Sequence, residues 1–416
     1  MRKAIIFPKV NHTGSACHRT IHTNTSIVAF ASEKDFEDSS LQLQNNWTPP
    51  GQLHSTTTRS DGTYEIWMGR LDNPAIKQML TRVQILVPLF IEGGSYIGQK
   101  PDSDPPEQDF SDADRWTIFF LYQKKPVPGK PDQHAYTFAG FSTVYRFYFF
   151  QPPTPPASPK AGWELPQGDL DLSELPCRTR LSQFIILPPF QGQGHGPFLY
   201  NTIYQHYLKH SQTQEFTIEN PNEAFDDLRD ACDLAFLRKM PEFAALHLDT
   251  KVALPKSGSI PQLVVGGNSI ETVRQKTKIA PRQFNRVLEM HLLSQLPDAI
   301  RPKMPTEDEE AAASMDVQEP SLSKDEQHIQ RLWHLVLKQR LYRHNKDILS
   351  QLDLSERITK LQETLVGVEL EYERLLALCE RSAKRSRDAA SNSNGKRRLD
   401  GTGDDSSSKR ARTEEV

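Results

Sequence analysis

No run in this sequence approaches the roughly eighteen apolar residues that a membrane-spanning helix needs, and the short "AIIF" near the start meets Pro8 and Lys9 too soon for a secretory signal. No membrane partner is expected. Cysteine is scarce: Cys17, Cys177, Cys232 and Cys379 stand far apart, with no CxxC pair and no clustered histidines. That spacing argues against a zinc site, so no metal is expected, and the thiols read as reduced ones of an intracellular protein. Acids are missing from the first 32 residues, which hold Arg2, Lys3, Lys9 and Arg19 ahead of Glu33. Mitochondrial presequences share that composition, and so do plain unstructured starts.

What is present is proline, thirty residues against twenty-one glycines, with 37% hydrophobic residues in 416 and a mean hydropathy of −0.60. Two or three structural units joined by long polar connections fit those values. The net charge of −3 hides an asymmetry, because residues 381–416 carry ten Lys and Arg against six Asp and Glu, leaving −7 on the rest. An acidic body disfavours nonspecific duplex binding, and no direct sequence-specific nucleic-acid binding is expected. The Ser, Asn and Asp-rich tail has too little apolar content to fold. Its "KRSRDAASNSNGKRR" and "SKRAR" clusters read as a bipartite nuclear import signal, a weak nucleic-acid or histone-chaperone contact, or a solvated charged tail.

Hydrophobic periodicity orders the body. Residues 62–71 predict a strand, and Asn73-Pro74 predicts the cap and first turn of a helix that buries Ile76, Met79, Leu80, Val83 and Val87, bends at Pro88 and stops at Gly93-Gly94. Residues 115–123, 134–141 and 142–150 predict three strands of an antiparallel meander. An irregular excursion over 151–176 leads to a strand at 180–187, a glycine loop, a helix at 197–210, a strand at 214–219 and a helix at 222–238. Residues 272–296 predict one helix, 304–323 an acidic linker, and 324–380 a helical pair. The second helix of that pair repeats Leu354, Ile358, Leu361, Leu365, Val368 and Tyr372 at near-heptad spacing, as packing on a neighbour requires. The implied domains are 1–61, a remnant or irregular segment; 62–240, the main domain; 241–380, a helical region; and 381–416, a disordered basic tail.

The glycine loop "FQGQGHG" follows a strand and opens a helix, where main-chain N–H groups form a concavity suited to phosphate or pyrophosphate. A Walker loop is excluded because no Gly-Lys-Ser or Gly-Lys-Thr ends it. A dinucleotide fingerprint gains from Glu219 at the end of the next strand. However, Gly192, Gly194 and Gly196 fall one residue short at the third site, and a meander precedes them instead of alternating βαβ units. Gln191-Gly192-Gln193-Gly194-His195-Gly196 does satisfy Gln/Arg-x-x-Gly-x-Gly/Ala, the acetyl-CoA loop of the GNAT N-acetyltransferases. A tight turn that only lets the helix approach the sheet stays open beside it.

In order, "FIEGGSYI", "STVYRFY", "FQGQGHG" and "IENPNEAFDDLRD" resemble the catalytic subunits of type B histone acetyltransferases, from about Gly62 to about Ala377. "WTPPG" resembles the boundary of that family's separate amino-terminal domain, most of which is missing on this reading. The resemblance implies an α+β fold: a GNAT-type mixed sheet with flanking helices, then a helical C-terminal region and a disordered basic tail. It implies acetyl transfer from acetyl-CoA to lysines of the free histone H4 amino-terminal tail by direct attack. Histone H3, as the H3–H4 dimer, and a WD-repeat histone-binding subunit are the implied partners, in nucleus and cytoplasm. It assigns the general base to Glu219, which either suffices alone or is joined by Glu92 at another acidic active-site position of the family. Main-chain amides of Phe184, Ile185 and Ile186 are expected along the pantetheine and thioester. Those of Gln191, Gly192, Gln193, Gly194, His195, Gly196 and Pro197 are expected at the pyrophosphate, with Asn222 also on the cofactor, and Tyr145, Arg146 and Phe147 on the H4 tail.

A lysine ammonium has a pKa near 10.4, so removing its proton at neutral pH costs roughly 4.6 kcal/mol before attack on a thioester can begin. Alternation along residues 214–219 puts Phe216 and Ile218 on one face and Thr217 and Glu219 on the other, at the carboxyl end of the sheet. Partial desolvation there would make Glu219 a stronger base. The competing reading is a carboxylate that only caps the helix near Asn222. Glu92 follows the apolar "ILVPLFI" and either shares that desolvation or reaches solvent. His195 reads as packing or a phosphate contact. Asn220 stands where the family usually has aspartate, which leaves a noncatalytic histone escort on the same fold as the alternative.

Overall fold

The computed structural model describes residues 47–100, 107–148, 175–254, 265–266, 270–303 and 322–399, largely by backbone alone beyond Arg381. Residues 1–46, most of the 151–176 excursion, most of the acidic linker and the end of the basic tail lie outside the described residues. Two compact units divide the chain at Phe141/Ser142.

In the first unit, β1 (Gln52–Arg59) and β2 (Gly62–Arg70) form an antiparallel hairpin, and β2 pairs antiparallel with β3 (Trp116–Val127). β1 falls inside the segment read as irregular. Its three consecutive threonines suit an edge strand, which shows most of its side chains to solvent. The helix α1 (Pro74–Val83) starts as expected, with Asn73 Oδ1 accepting from the Ala75 N–H at 2.9 Å, and it buries Ile76, Leu80 and Val83. A 3₁₀ turn at Gln84–Leu86 and a short α2 (Val87–Phe90) follow, with Pro88 in the first turn of α2.

β4 (Lys130–Tyr148) corrects the meander: residues 134–141 and 142–150 do not form two strands, but one continuous strand through Tyr148. "AGFSTV" has the look of a turn. All six residues, Ala139 to Val144, are buried, and a strand covered on both faces accepts small residues without breaking.

The second unit carries the end of β4, β5 (Cys177–Ile186), α3 (His195–Lys209), β6 (Thr213–Ile218) and α4 (Glu223–Leu237). β5 and β6 run parallel, in register from Cys177↔Thr213 to Leu181↔Ile218, which is the β-loop-α-β order expected. Along α3, Leu199, Tyr200, Ile203, Tyr204 and Tyr207 repeat at helical spacing and are buried, with the three tyrosine rings against Phe216 of β6.

The helix expected over 272–296 is two helices, α5 (Ile270–Thr277) and α6 (Pro281–Leu293). Lys278 is left-handed with φ +57°, and its carbonyl accepts the Phe216 N–H at 2.7 Å, while Ile279 bridges the outer edge of β6. Pro281 requires an extended residue before it, which Ala280 is at ψ +144°, and the two residues ahead of Ala280 are the ones that pair with β6. α7 (Lys324–His344) opens on a capping box between Ser323 and Glu326. α8 (Leu354–Leu399) buries Leu365, Tyr372, Leu375 and Leu376, whereas Leu354 and Ile358 of the expected stripe are exposed.

The aspartates of "NEAFDDLRD" hold α4 to these helices. Asp227 pairs with Arg374, Asp230 with Arg286, and Arg286 continues to Glu371. Glu289 pairs with Arg340 at 2.7 Å and also accepts from Tyr372, and Asp233 accepts from Tyr200 at 2.8 Å. Burial pushes Asp233 up to about 7 and pushes Glu289 up against the pull of Arg340. Cys177 and Cys232 are buried free thiols. Among the described residues no helix is long and apolar enough to cross a membrane, and no three His, Cys, Asp or Glu side chains gather as metal ligands do.

Candidate active site

β6 is shorter than β5, and that difference makes the site. The Glu219 N–H donates to Leu181 O at 2.9 Å as the last backbone bond between the two strands. The chain then turns away through Asn220, left-handed at φ +39°, and Pro221. β5 runs on for five residues, Ser182 to Ile186, along an edge β6 has left. Leu181 directs its carbonyl to β6, and the Gln183 N–H donates to Thr143 Oγ1 on β4 at 3.1 Å. Ile185 and Ile186 have buried side chains, and the Phe184 ring packs edge-on to Phe225 at 5.0 Å. Their side chains are core, as expected, and only their main chain can meet a ligand.

The loop after β5 is tied by its own glutamines. Gln191 Nε2 donates to Ile186 O at 2.7 Å, and Gln193 Nε2 to Pro189 O at 2.8 Å. Gly192 and Gly194 are left-handed at φ +73° and +82°, conformations that L side chains resist. A Cβ on Gly192 would meet nothing within 4 Å, so open space lies over the loop, whereas one on Gly196 would stand 2.6 Å from Leu228 Cδ1. The glycines therefore differ in use: Gly192 and Gly194 make a left-handed turn, and Gly196 admits Leu228 of α4, a helix-to-helix approach in place of the helix-to-sheet one expected. Pro197 is in the first turn of α3, whose N-terminal amides have no acceptor within the helix. A strand edge leading into a stiff helix N-terminus fits an amide-bearing arm that ends in pyrophosphate. His195 is buried against Phe190 and takes the packing role.

Glu219 does not cap α4. Asn222 does, its Oδ1 accepting from the Phe225 N–H at 2.9 Å, so the side chain expected at the cofactor is engaged in the helix start. The Glu219 carboxylate turns to β5, where Ser182 Oγ–H donates to Oε2 at 2.5 Å and Arg180 stands 4.0 Å from Oε1. The side chain is 42% exposed, so the desolvated setting expected of it is replaced by a solvated one rich in donors. Glu92, in the first unit, is exposed in the turn after α2, the solvent-reaching alternative.

Tyr145 and Phe147 share a face of β4 with ring centroids 4.6 Å apart, and the Arg180 guanidinium lies over Phe147 at 4.4 Å. Arg146 is on the opposite face, close enough to Cys177 and His210 to shift both. The structure therefore brings Tyr145 and Phe147 to the Glu219 side through Arg180 and does not bring Arg146 there. Arg180 and Ser182 were missed by the sequence reading. Their signal was period-two alternation in "RLSQF", which puts Arg180, Ser182 and Phe184 on one face.

The family model for the histone acetyl transferase HAT1 N-terminus matches residues 12–92, and the one for the fungal HAT1 C-terminal region matches 260–297. A histone acetyltransferase type B catalytic subunit of Gibberella zeae is 57% identical over 390 residues, covering 94% of this chain and 79% of that one. The chain belongs to the histone acetyltransferase type B catalytic subunits. Subunits of the same name from Pyricularia oryzae and Neurospora crassa are 47% and 46% identical, across 94% and 90% of this chain and 79% and 76% of theirs. Antiparallel pairing of β1, β2 and β3, parallel pairing of β5 with β6 and the helices beside them give an α+β fold, and the protein is a histone acetyltransferase catalytic subunit. The first match runs through positions 12–61, so the amino-terminal region is like the family over more than "WTPPG".

Proposed function

We propose that this enzyme acetylates lysines of the amino-terminal tail of free histone H4, presented with H3 and with a WD-repeat histone-binding subunit, and that Glu219 is its general base. One observation carries the base assignment: Glu219 is the carboxylate at the fork, beside the β5 edge that leads to the glycine loop. When bound, acetyl-CoA supplies an activated acetyl thioester. The main chain of Phe184, Ile185 and Ile186 orients that thioester, and the first turn of α3 holds the pyrophosphate. Glu219 takes one proton from the substrate ammonium, and the freed amine attacks the thioester carbonyl. The C–N bond forms, the C–S bond breaks, and of the two protons left on nitrogen one stays on the product amide and the other leaves with coenzyme A as the thiol. The left-handed backbone at Asn220 gives that residue a role in the turn after β6, independent of any second carboxylate. We also infer residence in nucleus and cytoplasm, with the basic clusters of the tail as the import signal, which a tail-deleted fluorescent fusion tests.

Labelled acetyl transfer from acetyl-CoA to an H4-tail peptide, with product mapping, tests the reading. Glu219→Gln is expected to lower kcat by about two to four orders of magnitude with acetyl-CoA affinity by calorimetry unchanged. Wild-type turnover by that variant removes the base assignment, and a wild-type protein that binds histone without forming labelled product makes the chain an escort.

A further inference from the structure

We propose that Ser182 and Arg180 are positioning residues that fix the Glu219 carboxylate at the fork, a role that rests on Glu219 being the base. A glutamate at an exposed strand tip has three side-chain torsions to hold, and nothing local to the sequence holds them. Here the backbone is fixed by the Glu219 N–H to Leu181 O bond, and the carboxylate by two different groups on β5. Ser182 Oγ–H donates to Oε2 at 2.5 Å, which leaves one oxygen committed and the other turned toward Arg180 at 4.0 Å. Arg180 is itself seated on the Phe147 ring at 4.4 Å, and Phe147 on Tyr145 at 4.6 Å.

This arrangement has a consequence for the substrate lysine. Arg180 occupies a face of Phe147, so that face of the ring holds the arginine that flanks the base and is not open to the incoming lysine.

Among the described residues, Arg180 pairs with the carboxylate from β5 at 4.0 Å, and Arg178 is taken by Glu215 two register steps back. On α4 the acids of the first turn are Glu223 and Asp226, of which Asp226 faces Arg229 at 3.8 Å, and on β4 the titratable neighbour of Phe147 is Tyr145. Ser182 is neutral, so its replacement changes hydrogen bonding to the carboxylate without changing any charge.

The test is acetyl-transfer kinetics on the full chain carrying Ser182→Ala, Ser182→Thr or Arg180→Gln, with acetyl-CoA affinity measured by calorimetry. Ser182→Ala is expected to lower kcat about tenfold, because a hydrogen bond to a charged group is lost, with acetyl-CoA affinity unchanged. Ser182→Thr keeps the hydroxyl and is expected to restore the rate, and Arg180→Gln to lower kcat by less, with KM for the peptide unchanged in each. A Ser182→Ala enzyme with wild-type kcat overturns the proposal, as does a folded Ser182→Thr enzyme that fails to restore it. Should Ser182→Ala not fold, Ser182→Cys, nearly isosteric and a weak donor, takes its place with the same two readouts. If Glu219→Gln abolishes turnover while the Ser182 variants behave as wild type, only the positioning role fails; if Glu219→Gln turns over normally, the base assignment fails and this role with it.

Discussion

The fork between β5 and β6 and the helical seam behind α4 are built from the same residue types, carboxylates and arginines, and use them in opposite ways. At the fork, Glu219 is 42% exposed and its arginine stands off at 4.0 Å. In the seam, the side chains of Asp230 and Glu289 are 0% and 3% exposed, and their arginines close to 2.6 and 2.7 Å. Buried charges of this kind survive only with every lone pair answered. Glu289 has Arg340 and Tyr372, and Asp230 has Arg286 and Gln283. A base that must accept a proton in each turnover cannot be held so tightly, and a seam that must not move can.

That contrast breaks first at Glu219. Glu219→Gln, expected to cost activity by orders of magnitude, is expected to leave the unfolding free energy from urea melts within about 0.5 kcal/mol of wild type, as a surface substitution does. A large loss of stability there would mean that the fork is as structural as the seam. Arg340→Ala is the converse: it strands Glu289 in the interior and is expected to cost about 3–5 kcal/mol by urea unfolding, while turnover per folded molecule changes little.

Asp233 sharpens the same contrast through pH. Its folded value, pushed up to about 7 by burial, lies above the ordinary carboxylate value of 3.8. The folded state therefore holds this proton more tightly than the unfolded chain, and the associated stability is fully present below about pH 4 and is lost as pH rises toward 7. Asp233→Asn cannot ionise and is expected to remove that slope, which urea melts between pH 4.5 and pH 7.5, on a scale of roughly 4 kcal/mol at most, would show. Asn222→Ala is the smallest effect, about 1 kcal/mol for a lost N-cap. If its acetyl-CoA affinity by calorimetry fell in addition, the side chain would have a cofactor role besides the cap.

β2, β3, β5, β6, α1 and the helices around the glycine loop were legible because each carries its own periodicity and punctuation, Asn73-Pro74 being an example, whereas β1, an exposed edge strand of polar residues, carries no apolar alternation. The errors came where burial outweighed local signals. "AGFSTV" spells a turn but is covered on both faces within β4, and "TKIAPRQ" spells a continuing helix but gives its backbone to the edge of β6. At the site, the glycine loop and Glu219 could be read from motif and order. Ser182 and Arg180 could not, because which residue of β5 stands beside the tip of β6 depends on the register of two strands separated by the loop and α3.

By itself the sequence determined the order of elements, the left-handed turn of the loop and the family, since these depend on neighbours along the chain: propensity, alternation, glycines where φ is positive. Only the tertiary structure decided where β6 parts from β5, which side chains then meet Glu219, and that the acids of "EAFDDLRD" face arginines from α6 and α8. Those outcomes depend on distances between residues far apart in the chain, and packing sets such distances where no local preference can.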